Sequence, residues 1–280
     1  QPRSRGLGDV YKRQPACFAP EVMQKRAIWN RAFAGTGQQD ANEAFQTLMN
    51  ECDDTDATAL YALPAHRNVP RADFARSAAR LSTPYNQIFA NLQTIRVTCS
   101  ACAHVTERYE RANSHELALD DATVLSVPEL LRAHLAHETL NEDYRCDGCG
   151  VRGTCSRRTV VQEWQRVLMI NLKRFAFDRK TKRPAKVGWH IRYPMSYTPT
   201  AGTQYQLRAV VVHHGIIGFG HYVAYVRGSD DQWYYCDDSQ RPRVVVDAAE
   251  VERKQAYILF YERVTAIEDR VIMDSHPHAL

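Results

Sequence analysis

Two pairs of cysteines, each with two residues between its members, constrain this chain more than any other feature of its sequence. Cys99 and Cys102 form the first pair, Cys146 and Cys149 form the second, and 43 residues separate the pairs. A two-residue gap lets two thiolates turn inward to one ion, which suits metal binding better than a disulfide framework. Four thiolates make a closed site, so we predict a structural Zn²⁺ without an open position for catalysis.

Three further cysteines and one nearby histidine fall into two groups. His104 and Cys155 follow the pairs closely and are alternative ligands. Cys52 and Cys236 stand alone, and lone cysteines are more often small buried hydrophobes than reactive groups. Thiols kept for a metal indicate a reducing compartment, so we expect the cytoplasm or the nucleus.

The charge balance and hydropathy argue against two classes of partner. Lys and Arg number 36 against 32 Asp and Glu, and a net charge of +4 implies no strong attraction to nucleic acid or membrane. The most hydrophobic stretch, 167–172, is far shorter than the roughly 18 residues of a membrane span. Arg152, Arg157 and Arg158 would suit a nucleic-acid site, but no aromatic stacking platform accompanies them.

Two capping boxes predict helices early in the chain. Asp40 with Glu43 opens a helix over Ala41–Asn50, and Ser126 with Glu129 opens a second one. Segments rich in β-branched and aromatic residues then predict strands at 167–177, 205–213, 221–227, 233–236, 244–246 and 256–261. Helices early and strands late predict an α+β fold with an antiparallel sheet.

The first residues differ in composition from the rest. We expect residues 1–14, QPRSRGLGDVYKRQ, to be a non-native remnant of cloning or sequence assembly, or a disordered segment. No internal repeat or long low-complexity tract follows, so one domain with subregions is the economical interpretation.

The strongest catalytic signal is a predicted hairpin late in the chain, GFGHYVAYVRGSDDQWYYCDD. Its turn, 228–231, pairs Arg227 with Gln232. Gly218 and Gly220 would allow another backbone to approach closely, as an extended peptide passing the hairpin requires.

In that register His221 lies opposite Asp238, and a slip of one residue places it opposite Asp237 instead. Directly opposed side chains have Cβ atoms about 4.5–5.5 Å apart, and because strands alternate faces only one aspartate can serve. A carboxylate on one ring nitrogen would leave the other nitrogen to take a proton from a nucleophile. The alternative is a structural pair that only stabilises the hairpin.

Eight segments in order resemble the ubiquitin-specific protease family: GQQDANEAF (37–45), CSAC (99–102), YRCDGCG (144–150), VLMINLKRF (167–175), YQLRAVVVHHG (205–215), GHYVAYVR (220–227), WYYCDDS (233–239) and AYILFYER (256–263). Each block is weak alone, and the specificity lies in their order and spacing. The resemblance implies a papain-like fold of thumb, palm and zinc-binding fingers, and a deubiquitinase that cleaves after the last glycine of ubiquitin.

By position, the resemblance makes His221 the general base and Asp237 the acid that orients it, with Asp238 as the substitute. The four paired cysteines match the zinc ligands of the fingers. Gln39 and Asp40 match the segment that lines the channel for ubiquitin's tail, and Gly220 and Tyr222 are further expected substrate contacts. The expected partners are ubiquitin and ubiquitinated proteins.

The same resemblance divides the chain. We expect a partial protease domain over 15–264, with fingers at about 96–165 and palm at about 166–264, followed by a tail at 265–280. The family's nucleophile block, G-N-T-C-[YF]-x-N, has no match here, so we expect an incomplete thumb and a chain that is inactive as given. Cys17 imitates it superficially, but Pro20 would sit awkwardly in the following helix. The alternative function is an inactive ubiquitin-binding module of the same fold.

Overall fold

The computed structural model describes Phe33 and residues 39–60, 84–120, 123–178, 182–245 and 247–264, with only the backbone described at 51–60, 84 and 177–178. The predictions for residues 1–14, Cys17, the start of the thumb and the tail at 265–280 therefore lie outside the described residues. Residues up to Gln39 form one unit, and Asp40–Leu280 form another. All helices and strands below belong to the second unit.

The described residues form four helices and fourteen strands. The helices are α1 (Ala41–Leu60), α2 (Pro84–Phe89), α3 (Val127–Leu135) and α4 (Ala248–Glu252). The strands are β1 (Asn91–Cys99), β2 (Val105–Ala112), β3 (His115–Ala118), β4 (Glu138–Thr139), β5 (Cys155–Glu163), β6 (Val167–Lys173), β7 (Phe175–Asp178), β8 (Arg183–Lys186), β9 (Ser196–Thr200), β10 (Thr203–Ile216), β11 (Phe219–Arg227), β12 (Trp233–Asp237), β13 (Gln240–Val245) and β14 (Ala256–Arg263). The predicted α+β class is confirmed. Of the helices described, none combines the length and hydrophobicity that a membrane crossing requires.

An eight-stranded main sheet carries the larger core. Its order is β13-β12-β11-β10-β14-β6-β3, with β9 attached to β10. Only β3 pairs in parallel, with β6, and the other pairs are antiparallel. On one face, Leu168 packs with Leu131 of α3 and Val251 of α4. On the other face, Met169 packs against Phe45 of α1. Because side chains alternate along each strand, the sheet separates α1 from α3 and α4.

A second sheet, β2-β1-β5-β4, is antiparallel and carries the paired cysteines near its end. The sequence analysis predicted none of its strands. The reason is their composition: β2 reads VTERYERA, with four charged residues in eight, so its alternation is hidden among polar side chains.

The two predicted capping boxes have different outcomes. Asp40 caps α1 through Oδ1, which accepts from the backbone N–H groups of Asn42 at 2.8 Å and Glu43 at 3.0 Å. At α3 the box is not formed, because the Ser126 hydroxyl donates to Glu129 Oε2 at 2.5 Å and makes no backbone cap.

The predicted strand at 167–177 is broken at Arg174 into β6 and β7. Arg174 is 1% exposed, and its guanidinium donates to the carbonyl oxygens of Ala256 at 2.5 Å, Val187 at 3.1 Å and Trp189 at 3.0 Å. A buried guanidinium needs such acceptors, so the backbone turns to bring the side chain to them.

Candidate catalytic and metal sites

The predicted hairpin is formed by β11 and β12, but its turn is one residue longer than expected. Arg227 ends β11, Trp233 begins β12, and these two residues pair. The turn occupies 228–232 and contains Asp231 in the left-handed region at φ 63°. The predicted pairing of Arg227 with Gln232 is therefore wrong by one residue.

This shift changes how His221 meets its carboxylate. The last ladder pair is Ala224 with Cys236. If this pairing continued, His221 would lie opposite Ser239, which shares a face with Asp237. Neither of the two predicted registers, with His221 directly opposite Asp238 or Asp237, is therefore formed. His221 Nε2 nevertheless lies 3.1 Å from Asp237 Oδ1. The contact is diagonal across the hairpin, which long side chains can still bridge.

Of the two aspartates, Asp237 is the more firmly held. Its side chain is 10% exposed, and it accepts hydrogen bonds from the Ser239 hydroxyl at 2.7 Å, the Ser239 N–H at 3.0 Å and the Tyr235 hydroxyl at 3.1 Å. These bonds, that of the Ser239 hydroxyl foremost, hold the pKa of the Asp237 carboxyl well below its usual range. Asp238 Oδ1 lies 3.4 Å from the same imidazole nitrogen, but its side chain is 83% exposed.

The ionised carboxylate fixes the tautomer of His221. A carboxylate without its proton can only accept, so Nε2 carries the hydrogen that is donated to Asp237. Nδ1 then keeps a free lone pair. The His221 side chain is 46% exposed, so that lone pair is open to a reacting group.

The need for glycine at position 220 is explained by the close packing of β11 against β10. A Cβ at this position would lie 2.2 Å from the His214 carbonyl oxygen and 2.3 Å from Nε2 of the buried His213 ring. Gly218 has nothing within 4 Å of such a Cβ and has a φ of +79°, which suits the turn between β10 and β11. Atoms of the chain itself therefore exclude a side chain at position 220. A substrate contact at Gly220 stays a prediction.

Gly220→Ala is expected to destabilise the folded chain by about 1–3 kcal/mol, because the added methyl must displace backbone or a buried ring. Thermal melting of the purified variant measures the loss. Gly188→Ala is the matched control, since a Cβ there has nothing within 4 Å. Equal melting temperatures for the two variants would contradict the packing account.

Asp40 is tied to the main sheet as well as to α1. Its Oδ2 accepts from the Tyr257 hydroxyl at 2.5 Å, and burial strongly raises the pKa of Tyr257. Tyr222 is half-buried, lies 5.8 Å from the Tyr257 ring, and has its pKa raised to about 12, chiefly by burial. Gln39 is exposed. Asp40 and Tyr222 therefore lie close to one ring, that of Tyr257.

Sequence reasoning missed three residues that hold these groups. Ser239 and Tyr235 fix the Asp237 carboxylate, and Tyr257 fixes Asp40. Ser239 had a local signal, because an Asp followed two residues later by an N–H donor forms an Asx turn. Tyr257 had none, since its contact with Asp40 spans 217 residues of chain.

The four paired cysteines meet at one point. Cys99 Sγ lies 3.9 Å from Cys149 Sγ, Cys102 Sγ lies 3.7 Å from Cys146 Sγ, and all four sulfurs lie within 4.8 Å of one another. Tetrahedral Zn²⁺ with bonds of about 2.3 Å needs sulfurs about 3.8 Å apart. The donor set and its spacing therefore fit a structural zinc ion.

The two pairs have the same backbone frame. In each, the first cysteine's C=O accepts from the N–H four residues on, namely Ala103 at 3.0 Å and Gly150 at 2.9 Å. The last residue of each turn has a left-handed backbone conformation, with a φ of 56° at Ala103 and 75° at Gly150. In addition, Thr154 Oγ1 lies 3.2 Å from Cys99 Sγ, and this contact is the main cause that lowers the pKa of that thiol to about 5.

The alternative ligands and nucleophiles do not fit. The His104 ring packs on Gly148, and Cys155 is buried, which raises its pKa to about 11. Cys236 follows Tyr235 and precedes Asp237, so it points to the opposite face of β12, and burial raises the pKa of its thiol. Among the residues described, no thiol is thus poised beside His221. Only the backbone of Cys52 is described.

Solved structures share this architecture. A chain of a SAGA DUB module (Ubp8/Sgf11/Sus1/Sgf73) bound to monoubiquitin superposes with a TM-score of 0.67 over 85% of this chain and 51% of that chain, at 23% identity. A second such module, bound to ubiquitin aldehyde, gives a TM-score of 0.66 at 22% identity. At these identities the likeness shows the fold, the papain-like fold of ubiquitin-specific proteases, as predicted.

The sequence comparisons show the family. The profile described as "Ubiquitin carboxyl-terminal hydrolase" matches residues 6–261. Relatives include ubiquitin carboxyl-terminal hydrolase 19 of Arabidopsis thaliana, 31% identical over 66% of this chain and 29% of the relative, and human ubiquitin carboxyl-terminal hydrolase 17-like protein 11, 29% identical over 86% and 44%. The chain belongs to the ubiquitin carboxyl-terminal hydrolase family, and it spans less than half the length of these two relatives.

Proposed function

We propose that this chain is a deubiquitinase domain that hydrolyses the isopeptide bond at the C-terminal glycine of ubiquitin through a cysteine thiol. The observation that carries the proposal is the His221–Asp237 pair, in which an ionised carboxylate holds Nε2 and leaves Nδ1 free. Family membership supports the reaction class. The nucleophile would come from outside the described residues.

In the proposed reaction, His221 Nδ1 accepts the proton of the thiol, and the thiolate attacks the carbonyl carbon of the glycine. The departing lysine amine takes the proton back from Nδ1 as the C–N bond breaks, leaving a thioester. Water then gives a proton to Nδ1 and its oxygen to the carbonyl carbon. Free ubiquitin and the original thiol result.

The substrate is proposed to reach this pair along Asp40 and Tyr222. The Asp40 carboxyl accepts the hydrogen bond of the Tyr257 hydroxyl, and a basic tail segment would be held there by charge-assisted hydrogen bonds. Gly220 is assigned to the same channel, and Gln39 is proposed as a further substrate contact. Ubiquitin and ubiquitinated proteins are the proposed partners, and the cytoplasm or nucleus the proposed location.

The cysteine cluster is proposed to hold Zn²⁺ in the fingers. Cys99, Cys102, Cys146 and Cys149 are the ligands, and the ion has a structural role in this assignment. The β2-β1-β5-β4 sheet would then be the fingers, which correspond to about residues 96–165 together with the start of β1. The main sheet would be the palm.

A ubiquitin probe with a thiol-reactive C-terminus tests the proposal. The expected result is a covalent adduct of the purified chain, or of the longer protein that contains it, at a cysteine located by mass spectrometry and blocked by iodoacetamide. Binding of fluorescent ubiquitin without any adduct in either form would instead favour the inactive ubiquitin-binding module.

Asp237→Ala is expected to lower kcat/KM for ubiquitin–aminomethylcoumarin by about 10²-fold or more, because the imidazole loses the carboxylate that sets its tautomer. Asp238→Ala is the matched control, since that side chain is largely exposed, and it should keep activity within about threefold. The reverse order of effects would make Asp238 the orienting acid.

A further inference from the structure

A groove of about 560 Å³ lies away from the catalytic pair, between α3, β5 and β9. Its volume is within the range of about 300–1,000 Å³ found for ligand sites. β9 pairs with the start of β10 at Thr203–Gln206, whereas His221 pairs with His214 near its end. Eight residues of extended strand, about 26 Å, separate the two positions.

The floor of the groove is apolar and its rim is basic. Leu131, Leu135 and Trp164 supply apolar surface, and Arg132 and Arg158 line the same groove. No Asp or Glu is among its lining residues. In the part of the chain that the structure describes, neither arginine has an acidic partner within ion-pair distance, and both are exposed.

One wall of the groove is a strand edge without a partner. Leu140 N–H donates to Cys155 O at 2.9 Å, so the odd-numbered residues of β5 turn their backbone groups away from β1. β4 covers this edge only as far as Arg157. The backbone N–H and C=O groups of Thr159 and Val161 therefore face the groove, with no strand paired to them among the described residues.

The opposite wall is less suited to pairing. β9 contributes Tyr197–Thr200, and Pro199 within it has no N–H to donate. An added strand would consequently hydrogen-bond to β5 and pack its side chains against β9 and α3.

We propose that this groove binds an extended acidic segment of a partner protein by strand addition to β5. Main-chain hydrogen bonds to Thr159 and Val161 hold the segment, alternate apolar side chains fill the floor, and Asp or Glu side chains meet Arg132 and Arg158. The proposal is independent of the proposed function, because the groove shares no residue with the catalytic pair or the cysteine cluster.

Fluorescence anisotropy with synthetic peptides tests this inference. The probe is a fluorescein-labelled peptide of about nine residues in which Val alternates with Thr and both ends carry Asp and Glu. Replacing the acids by Lys should weaken binding at least about tenfold. N-methylation of alternate backbone nitrogens, which leaves the side chains intact, should weaken it by a similar factor.

The protein variants are Arg132→Glu and Arg158→Glu, each expected to weaken binding by at least about fivefold. Arg183, which lies in β8, is also exposed, so Arg183→Glu makes the same charge change and should bind the probe within about twofold of the unaltered chain.

Three results would overturn the proposal. The first is equal binding of the acidic and the Lys-containing peptides. The second is displacement of the probe by ubiquitin, which would place the groove in the ubiquitin-binding surface. The third is evidence that the occupant is this chain itself. Probe binding only after removal of residues 265–280 would identify the chain's own tail as the occupant, and self-association that is lost in Arg158→Glu would identify a second copy.

Discussion

Replacing His221 with alanine is expected to lower kcat/KM for ubiquitin–aminomethylcoumarin by about 10³-fold, while the affinity for ubiquitin stays within about twofold. The loss is this large because, among the described residues, no second imidazole could replace His221 as the base. Of the histidines that the structure describes, His221 alone has one ring nitrogen bound to an ionised carboxylate and the other open to solvent. Steady-state kinetics on the active form, with fluorescent ubiquitin binding alongside, measure both quantities.

His214→Ala is the matched control for this prediction. His214 is the exposed cross-strand partner of His221, so its loss removes the same kind of ring from the neighbouring strand β10. Activity should stay within about threefold. A similar loss in both variants would mean that the reaction depends on the packing of β10 against β11 rather than on the His221 imidazole.

The pH dependence follows from the low pKa of Asp237. A depressed carboxyl pKa contributes stability that is present above the unfolded value of about 3.9 and is lost as the pH falls towards the folded value. Asp237 therefore stays ionised throughout the neutral range. An acid limb of kcat/KM near neutrality, measured as a pH–rate profile, would therefore belong to a group other than the Asp237 carboxyl.

Cys149→Ser is expected to remove bound zinc and to lower the melting temperature by more than about 10 °C. Structural zinc sites contribute about 10–16 kcal/mol of apparent binding free energy, and a domain of this size loses about 2–4 °C per kcal/mol. Cys149 is one of the two exposed cysteines of the cluster, and its replacement leaves the buried thiols of Cys99 and Cys146 in place. Elemental analysis and thermal melting give the two readouts.

Cys236→Ser controls for the loss of a thiol outside the cluster. It should retain one zinc ion per chain and melt within a few degrees of the unaltered protein, since Cys236 is only half-buried. Zinc retained in Cys149→Ser with unchanged melting would remove that cysteine from the ligand set.

What the sequence could predict was local or periodic. The C-x-x-C pairs predicted the cysteine cluster, because the two-residue gap itself sets the geometry of the two thiols. Asp40 predicted the start of a helix, because its side chain caps backbone N–H groups that lie within three residues of it. The apolar, β-branched strands of the main sheet were also visible in outline.

What the sequence could not predict depends on turn geometry or distant contacts. The left-handed Asp231 lengthens the hairpin turn, and a shift of one residue decides which carboxylate shares a face with His221. Arg174 breaks a strand because its acceptors come from the distant Ala256, Val187 and Trp189. Such partners cannot be identified from a short window of sequence.

The path of the chain between the cysteine pairs limits how this domain can be cut and recombined. From Cys102 the chain returns through β2, adds β3 to the edge of the main sheet and packs α3 on its core, and only then comes back to Cys146. A metal ion held by the four cysteines would therefore close a loop that passes through both sheets. The sheet proposed as the fingers could not be excised or exchanged between relatives at a single pair of junctions, because the excised segment would include β3, an edge strand of the main sheet, and α3, a helix of its core.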